Sequence, residues 1–134
     1  MKPSEAFLAI PLAAVYSDHS FSSGESHLIQ AHLRGRTPYR SMAPIDIAEL
    51  VTSVLTSLRE QGWQQIVSQA VEVLSPVQQE TAFAMAVQLV CCDRQVSPEE
   101  ADFLNGLSQQ LLVPQERSMQ IQESVSLLYR DCLA

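Results

Sequence analysis

One pattern occurs twice in this chain and limits its fold more than any other feature. An apolar helical run stops at an aspartate, the chain turns, and a serine opens a new helix with a glutamate in its first turn. The clearer copy is Cys91-Cys92-Asp93-Arg94-Gln95-Val96-Ser97-Pro98-Glu99-Glu100. Near the N-terminus, Tyr16-Ser17-Asp18-His19-Ser20-Phe21-Ser22-Ser23-Gly24-Glu25 repeats it. Asp18 corresponds to Asp93, Phe21 to Val96, Ser22 to Ser97 and Glu25 to Glu100, at an offset of 75 residues. In each copy the serine hydroxyl can accept from the glutamate N–H while the glutamate reaches back to the serine N–H, a capping box. Phe21 is placed to staple against the first turn of its helix.

The helices that lead into these turns are apolar nearly all round, at residues 6–16 and 77–92. A helix of that kind belongs at the centre of a fold, because no face is left for water. Pro11 inside the first removes one backbone hydrogen bond and predicts a kink. Two similar helical hairpins can pack their central helices together, which reads as an internal duplication. Leu28, Ile29, His32 and Leu33 share a face after the first turn, and Gly35 is placed to stop that helix.

Residues 34–43 lack apolar period and read as a loop. Pro44 starts a helix with Ile47, Leu50, Val51, Val54, Leu55 and Leu58 at three-four spacing, and Gly62 breaks it. Trp63, Ile66, Val67, Ala70, Val71 and Leu74 continue the stripe, as a separate helix or a bent continuation. Ser75, Pro76 and Gln78 form a third helix start. Pro114 marks another, and the last helix is expected over 115–132 with Ile121, Val125, Leu128 and Cys132 inward. No period-two strand pattern occurs. The expectation is all-α: one domain over 1–134, a globular bundle of six to seven helices, its two central buried helices from the duplication and the others covering their flanks.

A net charge of -7 repels nucleic acid and anionic membrane surfaces. No apolar run reaches the roughly 18 residues of a membrane span. Residues 6–16 make a poor signal peptide, since Glu5 and Pro11 intrude. Adjacent Cys91 and Cys92 with a distant Cys132 do not suggest a disulfide framework. A cytoplasmic location is expected.

On these residues the sequence resembles the TerB-like family of tellurite-resistance proteins and their relatives. The family pattern is an apolar helix ending in Asp-Gly, one residue, an aliphatic residue, three residues and a Glu in the next helix. Residues 93–100 match it and residues 18–25 match it more loosely, with helix order agreeing over about 4–128. The glycine after the aspartate is replaced by His19 and Arg94. If that position needs positive φ, histidine tolerates it better than arginine. The resemblance implies an all-helical domain with an acidic, metal-binding centre, a place in stress-response or membrane-associated signalling assemblies, and no catalytic reaction.

Two sets of residues are candidates for function. Asp18 and Asp93 end their helices, where the macrodipole disfavours negative charge by about 0.3–1 kcal/mol each. A divalent cation held by Asp18, Glu25, Asp93 and Glu100 would compensate them, and all-oxygen ligation suits Ca2+ or Mg2+. The alternative is structural: Asx-turns at the aspartates and capping boxes at the glutamates. The 12-residue EF-hand loop is absent, and His19, His27, His32 and the cysteines lack zinc spacing. The second set is basic. No acidic residue falls between Glu25 and Asp46, while His27, His32, Arg34, Arg36 and Arg40 do. These arginines either pair with carboxylates on a solvated loop or dock an acidic partner.

Two functions follow. One is a non-enzymatic TerB-like binding or scaffold module linked to stress or tellurite resistance, with Ca2+ or Mg2+ at the acidic turns. The other is a metal-free protein–protein interaction domain using the segment of Arg34, Arg36 and Arg40, or an apolar groove. Both expect a protein partner, and neither expects nucleic acid or insertion into a membrane.

Overall fold

A computed structural model describes residues 1–16, 23–92 and 96–133. The expectations for Asp18, His19, Phe21, Ser22, Asp93 and Arg94 lie outside the described residues. Within them the chain is all-helical, with seven α-helices and no strand: α1 (Pro3–Tyr16), α2 (Ser23–Arg34), α3 (Pro44–Gln61), α4 (Trp63–Val73), α5 (Pro76–Cys91), α6 (Pro98–Gln110) and α7 (Gln115–Leu128). A short 3-10 turn at Tyr39–Ser41 lies between α2 and α3.

The helix starts follow local chemistry. Pro44, Pro76 and Pro98 occupy first positions, where the missing N–H costs nothing. Ser75 and Ser97 cap α5 and α6 through complete capping boxes with Gln78 and Glu100. Gly62 separates α3 from α4 at φ 84°, a region open to glycine and strained for other residues, so α4 is a separate helix.

Every residue of α1 from Leu8 to Val15 is buried, and the helix continues through Pro11. Its most extensive packing is against α5; α3 and α4 cover its other sides, and α7 and α6 cover α5. α5 buries residues around its circumference too, from Ala82 and Phe83 to Val90 and Cys91. Each fully buried Leu or Ile along α1 is worth about 1.5–3 kcal/mol relative to exposure. Trp63 of α4 meets Phe103 of α6 edge to face at 4.7 Å, an anchor for the core as its phase implied.

Glutamines tie the helices where apolar packing ends. Gln79 Nε2 is buried and donates to the Leu74 carbonyl at 2.9 Å, satisfying the end of α4 from the start of α5. Gln110 Nε2 donates to the Gln64 carbonyl at 2.6 Å and to Ser68 Oγ at 3.0 Å, joining α6 to α4. No buried side-chain nitrogen or oxygen among the described residues lacks a partner.

The last helix is shorter than its sequence pattern suggests. α7 ends at Leu128, which is 76 % exposed, and Cys132 is exposed beyond it. Ser118, Ile121 and Val125 face the core, and Tyr129 takes the inward place at the end, beside Cys91 and Val96. The helical phase of Cys132 has no meaning once the backbone has left the helix. None of the three cysteines is in a disulfide among the described residues.

α6 ends in a Schellman motif that the sequence does not announce. Val113 N–H bonds the Ser108 carbonyl at 3.0 Å and Leu112 N–H the Gln109 carbonyl at 3.2 Å. Leu112 adopts φ 61° there, with its side chain 80 % exposed. Glycine suits that backbone, and little burial would be lost. Leu112→Gly is therefore expected to stabilise the fold by about 0.5–1 kcal/mol, raising the melting temperature by a few degrees. A lower melting temperature in a calorimetric scan would contradict this account of the motif.

Candidate functional site

The acidic set divides between described and undescribed positions. Glu100 lies in the first turn of α6, where its Oε1 accepts from the Ser97 N–H at 3.0 Å while Ser97 Oγ accepts from the Glu100 N–H at 3.1 Å. Glu25 lies in the first turn of α2 and is half-buried. Asp18 and Asp93 lie outside the described residues. The described His, Cys, Asp and Glu side chains form no group of three that could hold a metal ion. The donor chemistry of the four carboxylates fits a hard cation such as Ca2+ or Mg2+, and Glu100 keeps a second oxygen for one. Any such site depends on both aspartates.

The basic segment is more than a solvated loop. Tyr39 is 2 % exposed, and its hydroxyl donates to the Ser4 carbonyl at 2.6 Å, fastening the 3-10 turn to the start of α1. Its ring lies 6.3 Å from that of Phe7, centre to centre. Burial pushes the Tyr39 phenol well above its ordinary pKa, against the pull of Arg36. Backbone bonds from Arg36 N–H to Leu33 O (3.0 Å) and from Arg40 N–H to Arg36 O (2.8 Å) fix the path between. Sequence inspection assigned Tyr39 no role. Its one signal was an aromatic residue in an otherwise polar stretch.

Anchoring Tyr39 divides the three arginines. Arg34 and Arg40, both exposed, line a depression of about 120 Å³ with Gln30, Met42, Pro44 and Ile47. Arg36 turns to the other side, toward α1. Its Nη1 donates to the His32 carbonyl at 2.9 Å, and its guanidinium carbon lies 5.9 Å from the centre of the Phe7 ring, a cation–π contact. Arg36 Nη1 also lies 3.4 Å from His32 Nδ1. None of the three has a carboxylate within ion-pair distance among the described residues, where the ion pair present joins Arg117 to Glu80 at 2.8 Å on the surface.

His32 is held below its ordinary pKa, first by burial and then by the Arg36 charge, with a hydrogen bond to Gln88 acting the other way. No helix among the described residues is long and apolar enough to cross a membrane. Compared with known proteins, the chain matches no family model, no curated protein and no solved structure.

Two expectations follow from this geometry. Tyr39→Phe removes the bond to Ser4 but keeps the ring, and should cost about 0.5–1.5 kcal/mol in urea unfolding. Tyr39→Ala should cost about 3–5 kcal/mol. If Tyr39→Phe is as stable as wild type, the hydroxyl is not the anchor. The second concerns pH. The fold favours neutral His32, so below pH 6.5 the unfolded chain binds the proton more readily. This contribution is complete above pH 6.5 and is lost as pH falls through the lower folded value. The melting temperature should fall less between pH 7.5 and 5 in His32→Gln than in wild type, and an equal fall in both would contradict this.

Proposed function

We propose that this protein is a non-enzymatic, TerB-like binding or scaffold module that docks an acidic segment of a protein partner at Arg34 and Arg40. The observation that carries the docking is the fixed seat of these two cations. They flank one depression, Arg34 at the end of α2 and Arg40 on the turn anchored by a buried tyrosine, with no carboxylate in ion-pair reach among the described residues. In a chain of net charge -7 such an uncompensated positive surface attracts acidic chains locally and repels them elsewhere. A preformed seat also lowers the ordering cost of binding.

The TerB-like part of the reading is supported by the packing of two all-round buried helices, α1 and α5, each followed in the chain by an amphipathic helix. The internal duplication belongs to the same proposal, as does a cytoplasmic location. Its link to stress or tellurite resistance rests on the sequence resemblance alone. A Ca2+ or Mg2+ ion at Asp18, Glu25, Asp93 and Glu100 rests on that resemblance together with the sequence placing of the two aspartates at helix ends.

Poly-L-glutamate serves as the acidic probe. Binding to wild type should weaken as sodium chloride is raised, because exposed charges are screened beyond about 8–10 Å at physiological salt. The Arg34→Ala/Arg40→Ala variant should bind about fivefold more weakly or worse, a loss of about 1 kcal/mol. Lys2→Ala/Arg130→Ala should bind like wild type. Equal binding by all three proteins overturns the docking surface. Melting with and without about 1 mM Ca2+ or Mg2+ tests the cation separately. Stabilisation that disappears in Glu100→Gln, which keeps the cap, or in Asp93→Asn supports a cation at the acidic turns. An unchanged melting temperature removes it.

A further inference from the structure

Between α1, residues 36–39 and the start of α5 lies a cleft of about 260 Å³. Its walls are mostly apolar. Phe7 comes from α1, Leu74 is buried behind the cleft, and Val77 stands at its rim with 76 % of its surface in water. A recess with mostly apolar walls and few polar groups is the usual form of a small-ligand site. Among the described residues Arg36 is the charged one in the lining, and no carboxylate lines the cleft.

The state of Arg36 determines what chemistry fits. Nη1 is used by the His32 carbonyl, and the guanidinium lies over the Phe7 ring. Nη2 and Nε keep their N–H groups without a partner among the described residues. That edge of the guanidinium presents two parallel donors, the geometry that matches a carboxylate.

We propose that this cleft binds a small organic carboxylate with a flat apolar body, paired side-on to Arg36 and resting against Phe7, Leu74 and Val77. Charge complementarity selects the anion, and the apolar walls select the body. A bare phosphate or acetate would leave Phe7 and Val77 wet. The volume lies just below the usual range of about 300–1,000 Å³ for ligand sites, so the fitting body has about a dozen non-hydrogen atoms and a long acyl chain does not fit. The first residues of α1 and α5 border the same cleft, through Pro3 and Val77, so the positive ends of two helices add to the field of Arg36. The site is distinct from the depression at Arg34 and Arg40 and does not rest on the docking reading.

The test is a titration of the 15N-labelled 134-residue chain with 2-naphthoate, followed by backbone amide shifts. Saturable shifts are expected at Phe7, Arg36, Thr37 and Gln78. The neutral 2-naphthamide and the small anion acetate should each bind about tenfold more weakly or worse. Arg36→Gln should lose the same factor. Val77→Asp places a carboxylate at an exposed position in the first turn of α5, where the helix tolerates it, and should weaken naphthoate similarly with the fold intact. Equal affinity for the acid and its amide, retained binding in Arg36→Gln, or no saturation up to ~10 mM overturns the proposal. Tighter binding of the peptide Gly-Gly-Phe than of naphthoate, lost on amidating its C-terminus, also overturns it and assigns the cleft to polypeptide ends.

Discussion

The structure depends on the enclosure of α1. Eight consecutive residues, Leu8 to Val15, lie out of water, which requires protein on every side of one helix. α5 supplies the largest share, and α3 and α4 close the remainder. Because α5 is itself buried round most of its circumference, α6 and α7 must cover it in turn. The layered packing is a consequence of two helices that are apolar round most of their circumference. Burial is proportional to apolar area removed from water, so neither helix is stable until its neighbours are in place.

Tyr39 transmits that constraint to the surface. Its hydroxyl reaches the Ser4 carbonyl in the first turn of α1, so the basic segment takes its position from the central helix. The same contact separates Arg36 from Arg34 and Arg40. One basic stretch in the sequence therefore becomes two surfaces with different chemistry. An exposed pair of cations suits an acidic chain. A half-buried guanidinium beside a phenyl ring suits a small anion with an apolar body.

Much of the helical framework was legible because its signals are local. Ser75 with Gln78, Ser97 with Glu100, the prolines at first positions and Gly62 each act within one turn of chain, and each lies at the expected boundary. Leu112 could not be read this way. A left-handed residue at a helix end usually announces itself as glycine, and here a leucine holds the position because Val113 and Leu112 complete the Schellman bonds. The end of α7 at Leu128 is hidden from the sequence for a related reason. Apolar spacing continues past Leu128, but spacing cannot tell where a helix outruns the surface it packs on. Of the acidic set, only the capping role of Glu100 is described in atomic terms, and that role was visible in the spacing itself.

The sequence by itself determined that the chain is helical and which helices must be central, since hydrophobic periodicity and capping are properties of neighbours along the chain. Tertiary structure decided what the surface offers. The anchoring of Tyr39 on Ser4, the turn of Arg36 toward Phe7 and the cleft shared with Leu74 and Val77 join residues from separate helices and the segment between them. Such contacts leave no period in the sequence, because they depend on where the packed core brings distant segments together.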